Sequence, residues 1–177
     1  MEADLEAIGT HLLETRAPVD QLRAPHAHGV YAVFAGSENA LTPIRTGRHG
    51  LLYIGASKDL AGREFEQHFN SASTGFSTLR RTLGAILKDR LQLRAIPRSP
   101  GSKPSSYRLH AEDEGRLTDW MRSNLLVGVC GIGTAWELER QLIRQLEPPL
   151  NLMHWPNPQR GDLKRLRKAC TDEAQGR

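Results

Sequence analysis

The sequence predicts a mixed α/β fold of the α+β kind, and three observations predict it. Short β-rich apolar runs stand at 29–35, 51–56 and 125–130; stretches with helical spacing surround them; and 177 residues suffice for one ordinary domain with a full core. With 38% hydrophobic and 25% charged residues, the composition excludes a disordered, collagen-like or coiled-coil chain. Lys and Arg number 24 against 20 Asp and Glu. The resulting charge of +4 permits an anionic partner without identifying one.

Residues 2–16 place Leu5, Ile8, Leu12 and Leu13 on one helical face and stop at Pro18, which predicts a short amphipathic helix. The acidic start is unlike a secretory signal, and no apolar run approaches the roughly 18 residues that cross a bilayer. A cytoplasmic protein without a membrane segment is expected. The runs at 29–35 and 51–56, joined by a loop containing Gly36, Pro43, Gly47 and Gly50, predict an antiparallel hairpin. Alternation puts Tyr31 with Val33 on one face of the first strand, and Leu51, Tyr53 and Gly55 together on one face of the second.

A helix over 59–69, a polar turn over 70–75 and a second helix over 77–93 come next, the last turning Leu79, Leu83, Ile86 and Leu87 inward. Arg80, Arg81, Lys88, Arg90 and Arg94 lie on or near that helix, as a solvated basic face or as a phosphate-facing one. Pro97, Pro100, Gly101 and Pro104 predict a flexible basic loop, 115–124 a short helix, and 125–130 a third strand. Thr134 opens a strong helix that ends at Pro148-Pro149. Residues 159–169, with Arg160, Lys164, Arg165, Arg167 and Lys168, form either a basic helix that grips phosphates or a solvated tail. Cys130 is expected in the core; with Cys170 in the charged tail, it makes no disulfide framework or metal cluster.

One residue in the strong helix breaks the pattern. At about 100° per residue, Ala135, Leu138, Leu142, Ile143 and Leu146 share an arc, and Glu139 falls inside it while Glu137, Arg140, Arg144 and Glu147 fall outside. A carboxylate on an apolar face needs a paired cation, a proton or a metal. An ion pair with an arginine at the core edge and a metal or catalytic role are both open.

Taken in order, Gly29-Val30-Tyr31, Tyr53-Ile54-Gly55, Arg63 eight residues after Gly55, and Glu139 followed by Leu142-Ile143, Pro148 and Asn151 resemble the GIY-YIG nuclease superfamily. The resemblance spans 29–151. It implies a small three-stranded antiparallel sheet flanked by helices, and a shallow site that cleaves phosphodiester bonds with one divalent cation. Glu139 would be the metal ligand, and a single hard oxygen suits Mg²⁺ or Mn²⁺, which keep most of their waters. Arg63 would hold the scissile phosphate with its planar fork. Tyr31 would be the general base or orient the water, with Tyr53 as its companion. An ordinary phenol, with a pKa of about 10, needs nearby positive charge for that role. Outside this pattern, either tyrosine would be read as a packed strand aromatic.

The sequence departs from the superfamily at two places. Gln67 stands where many members have histidine, which leaves His68 as an auxiliary candidate, and Ala56 follows the second signature, which leaves Lys58 as the nearest cation. Asn151 would hydrogen-bond near the site or cap the turn after Pro149. Arg45, Arg48, Arg80, Arg81, Lys164 and Arg165 are the candidate nucleic-acid contacts. The expected organisation is a helical extension (1–28), a catalytic domain (29–155) and a basic tail (156–177). The expected function is a metal-dependent endonuclease that cleaves DNA through a metal-activated water. The rival readings are a nucleic-acid-binding module that has lost efficient cleavage, and a small interaction domain unrelated to nucleic acid. Specificity is expected from loops, the basic tail, a second subunit or a protein partner.

Overall fold

In the computed structural model, which describes residues 4–62, 68–69, 74–99 and 107–177, helix α1 (Leu5–Glu14) starts where the Asp4 carboxylate accepts hydrogen bonds from the amides of Glu6 and Ala7 at 3.1 and 3.0 Å. This cap satisfies two of the amides that a helix start leaves open. Strands β1 (Ala17–Pro18), β2 (Gly29–Ala35) and β3 (Leu51–Ser57) follow. Then come helices α2 (Thr78–Ile86) and α3 (Lys88–Leu91), strands β4 (Ala95–Pro97) and β5 (Tyr107–Leu109), helix α4 (Ala111–Asn124), strand β6 (Leu125–Gly131), and helices α5 (Ala135–Leu146) and α6 (Arg160–Ala174). The fold is mixed α/β. These elements sort into two units, Met1–Glu66 with Arg122–Asn157 and Gln67–Met121 with Pro158–Arg177.

The first unit holds a four-stranded antiparallel sheet in the order β1-β6-β2-β3. The three strands read from the sequence are its body, and the two residues of β1 extend it on the β6 side. Every residue of β2 is buried, as its apolar run requires of a central strand. Val30, Ala32 and Phe34 face a core completed by Ile8 and Leu12 of α1 and by Ala135, Leu138, Leu142 and Ile143 of α5. Helix α1 lies directly on β6: a Cβ at Gly128 would stand 1.9 Å from the Leu12 carbonyl oxygen. Only glycine permits that approach.

Leu51 was expected to share a face with Tyr53. Instead the β2–β3 register shifts between Val33 and Phe34, pairing Val33 with Tyr53 but Phe34 with Leu51. The extra residue, Leu52, turns Leu51 into the core beside Ile54.

In the second unit, Ser77 caps α2 by accepting the Arg80 amide at 3.0 Å. The single helix expected over 77–93 is two. The chain breaks at Leu87 and leaves α3 through Gln92 at φ 51°, so that Leu83, Leu87 and Leu93 are all buried. The Pro-rich segment contributes β4 and β5, which pair antiparallel, while residues 100–106 lie outside the described residues. Helix α4 begins four residues before the expected Gly115, with Glu112, Asp113 and Glu114 in its first turn, where acidic side chains favour a helix start. Helix α6 is packed rather than solvated. Leu163, Cys170 and Ala174 are buried, and Cys170, expected in a charged tail, joins a core with Ala85, Ala95 and Tyr107.

Candidate active site

Strands β2 and β3 place Tyr31 opposite Gly55 and Val33 opposite Tyr53. The Tyr31 ring lies across Gly55 so closely that a Cβ there would stand 2.5 Å from both its Cζ and its hydroxyl. The glycine of the second signature therefore makes room for the tyrosine of the first. The two tyrosine rings are 6.2 Å apart at 37°. Burial raises the pKa of Tyr31 well above that of an ordinary phenol, and the charges of Tyr53 and Glu139 add to the shift. Tyr53 is pushed up to about 12, again by burial first and then by Glu139. Both phenols are held neutral near pH 7.

Glu139 sits one position past the buried Leu138 of α5, half-buried at the rim of the apolar face. Its pKa is raised by burial and only partly offset by Arg140. Among the described residues its carboxylate has no hydrogen bond or ion pair, so the arginine partner that would have explained it structurally is not found there. A half-buried, unpaired carboxylate whose charge is felt at two phenols fits a hard cation.

Asn151 is engaged by backbone. Its side-chain amide donates to the Ile54 carbonyl and its side-chain oxygen accepts the Ile54 amide, both at 2.9 Å. The Leu150 amide donates to the Leu52 carbonyl at 2.9 Å. Together they cover the outer edge of β3 as a further strand would. The turn is held in place by the Trp155 indole, which donates to the carbonyls of Pro148 and Asn151, and by the Asn157 amide, which donates to those of Pro149 and Asn151.

Tyr31, Tyr53, Glu139 and Asn151 thus belong to one unit. Arg63 lies outside the described residues, as does Gln67. His68 belongs to the other unit, where its Nδ1 meets the Ser77 hydroxyl at 2.7 Å and burial, then Arg80, lowers its pKa to about 4. Lys58, Arg45 and Arg48 are exposed on the first unit, and Lys164 and Arg165 on α6, with Arg165 3.3 Å from Asp162.

Arg80 does not meet the expectation of a nucleic-acid contact. Its side chain is fully buried, its Nη2 donating to Glu114 at 2.8 Å and to the Thr118 hydroxyl at 2.9 Å, while Thr74 donates to the same carboxylate. The guanidinium is spent in the interior. Arg81, next to it, stays partly exposed.

The sequence reading did not single out a cluster of His110, Glu112 and Asp113, whose ligand atoms lie within 4.8 Å of one another. It borders a cleft of about 650 Å³. Arg94 pairs with both carboxylates and Arg116 with Asp113, holding the Asp113 carboxyl well below the usual range. Guanidiniums already supply the positive charge a metal would bring.

Residues 29–169 match the GIY-YIG catalytic domain. The chain belongs to the GIY-YIG family. No curated protein and no solved structure matches it significantly. The GIY-YIG match runs from the first residue of β2 into α6. It implies nuclease-type phosphodiester hydrolysis on a nucleic acid, and GIY-YIG domains typically use a divalent metal. Among the described residues no helix is long and apolar enough to cross a membrane.

Proposed function

We propose that this GIY-YIG protein is an endonuclease that hydrolyses phosphodiester bonds in DNA with one Mg²⁺ or Mn²⁺ ion. The observation that carries the proposal is the unpaired carboxylate of Glu139, half-buried where its charge acts on the buried Tyr31 and the partly buried Tyr53. Glu139 would hold the cation. When bound, that ion supplies positive charge to the phosphate oxygens and acidifies a water for attack. Tyr31 orients the attacking water, and it would accept that water's proton only as the phenolate, after its own proton has passed to solvent. Burial is the main obstacle to a phenolate at Tyr31 and the Glu139 charge a smaller one, and a cation held by Glu139 would offset only the smaller. Tyr53 accompanies Tyr31 from the adjacent strand, and Asn151 is a positioning residue that fixes the strand carrying Tyr53. Arg63 would bind the scissile phosphate and offset the charge that develops on it.

The test is incubation of supercoiled plasmid, single-stranded DNA and RNA with the protein and Mg²⁺ or Mn²⁺, beside Glu139→Ala. Metal-dependent cleavage of DNA that falls at least about 100-fold in Glu139→Ala is expected. Equal cleavage by both proteins would remove Glu139 from the chemistry. Salt-sensitive binding with no cleavage of any substrate would make the protein a binding module instead.

A further inference from the structure

Among the described residues, some cations of the second unit have carboxylate partners and others do not. Arg80, Lys88, Arg94, Arg116, Arg165 and Lys168 all have carboxylate partners. Arg81, Arg98, Arg108 and Arg167 have none among the described residues, and neither do Arg160 and Lys164 of α6. The linker at 99–106, Ser-Pro-Gly-Ser-Lys-Pro-Ser-Ser, contains no acid either.

Arg81, Arg98, Arg108 and Arg167 are neighbours. Arg108 on β5 pairs with Ile96 of β4, whose chain runs on to Arg98. The Arg98 stem and the Arg108 Cβ each lie 3.4 Å from where a Cβ on Gly75 would stand. The residue after Gly75 is Phe76, 71% exposed, and the Arg98 guanidinium sits 4.4 Å over its ring centroid. Arg81 follows on α2, where its carbonyl accepts the Tyr107 hydroxyl at 2.8 Å. Its Nε is buried with no hydrogen-bond partner among the described residues. Arg167 shares a face of α6 with Leu163 and Cys170, four residues before and three after it. The Arg81 pKa is lowered by burial and then by Arg167, with Arg98 adding to the effect.

Like charges gathered without counter-charge fit an anion. Spread over two helices and a hairpin, they fit a chain of phosphates better than a single one. An exposed aromatic ring, oriented by a cation on one face, offers a surface on which a base can stack. A paired base inside a duplex keeps its faces for its neighbours. We propose that Phe76, with Arg81, Arg98, Arg108 and Arg167, forms a second nucleic-acid contact that holds an unpaired nucleotide, its base on Phe76 and the adjoining phosphates on the arginines. The proposal rests on the nuclease reading above for the identity of the polymer, and adds to it a preference for substrates with single-stranded character.

The experiment measures fluorescence anisotropy of a labelled oligothymidylate and of a blunt duplex of equal length, without divalent metal, against wild type, Phe76→Ala, Phe76→Trp and Arg98→Ala. Phe76→Ala is expected to weaken single-strand binding roughly tenfold and leave duplex binding and the melting temperature nearly unchanged, while Phe76→Trp restores single-strand binding. Arg98→Ala is expected to lower the salt slope for the single strand by about 0.7. Unchanged single-strand binding in Phe76→Ala, or equal losses on both probes, would overturn the proposal. Plasmid cleavage by the same proteins separates the two readings. Metal-dependent cleavage with Phe76-independent binding defeats this proposal alone, and Phe76-dependent binding with no cleavage defeats the nuclease reading alone.

Discussion

Tyr31 and Gly55 show how two signatures far apart in a motif act as one object. The ring occupies the space a side chain at 55 would need, so the hydroxyl's position depends on a missing Cβ. Gly55→Ala should force the ring aside and cost about 1–3 kcal/mol, as overpacking does, with cleavage falling further than the stability loss explains. A thermal melt beside a plasmid assay checks both. An alanine variant with unchanged melting temperature and cleavage rate would show that the ring tolerates displacement. Arg80 is the complementary case of a residue whose type misled. Basic side chains on a helix suggest a solvated face, yet Arg80 lies in line with Leu83, Gly84 and Leu87 at three, four and seven residues. The arc that singled out Glu139 in α5 applies equally to α2. Its partner was legible too, because Glu114 precedes Leu117, Thr118 and Met121 at the same spacings. What sequence spacing leaves open is which inward charge meets a partner, and here Arg80 meets Glu114 whereas Glu139 meets none among the described residues.

At the scale of elements, β2, β3, β6 and α5 were legible because each is long enough to show its period and is bounded by turn residues. β1, β4 and β5 were not, since two or three residues hold no period and pairing alone makes them strands. Helix α6 was half legible. Its charges are plain, and they mask the spacing of Leu163, Leu166 and Cys170 that buries one face. The Asn151 clip is the element-scale feature most open to test. Asn151→Ala leaves the amide and carbonyl of Ile54 without their partners and should cost about 1–3 kcal/mol, read as a lower urea midpoint at constant slope. Asn151→Asp keeps the acceptor only and should fall between. If all three proteins unfold at one midpoint, water replaces the clip without cost.

For the molecule as a whole, acid stability should report His68. Its pKa is lowered from 6.5 to about 4 in the folded chain, so the unfolded chain binds the proton more readily. Stability is therefore complete above about pH 6.5 and declines as pH falls towards 4, by at most roughly 3 kcal/mol from this group. Urea midpoints measured between pH 7 and pH 4 should slope less in His68→Gln than in wild type, and equal slopes would assign the acid sensitivity elsewhere. The net charge of +4 also reads differently in the folded chain. Much of the positive charge of the second unit is balanced at short range, and part of the unbalanced remainder lies beside Phe76.

The strand order β1-β6-β2-β3 has a consequence for synthesis. The strand that lies between β1 and β2 is the last of the four to leave the ribosome, and the helix that completes the core over β2 emerges later still. Until then the β2–β3 hairpin has two open edges, since Leu150 and Asn151 also emerge later, and an uncovered apolar face, the kind of surface that invites pairing with a neighbouring nascent chain. Assembly of the tyrosine pair with Glu139 therefore waits on contacts distant in sequence, which slows the folding of this unit.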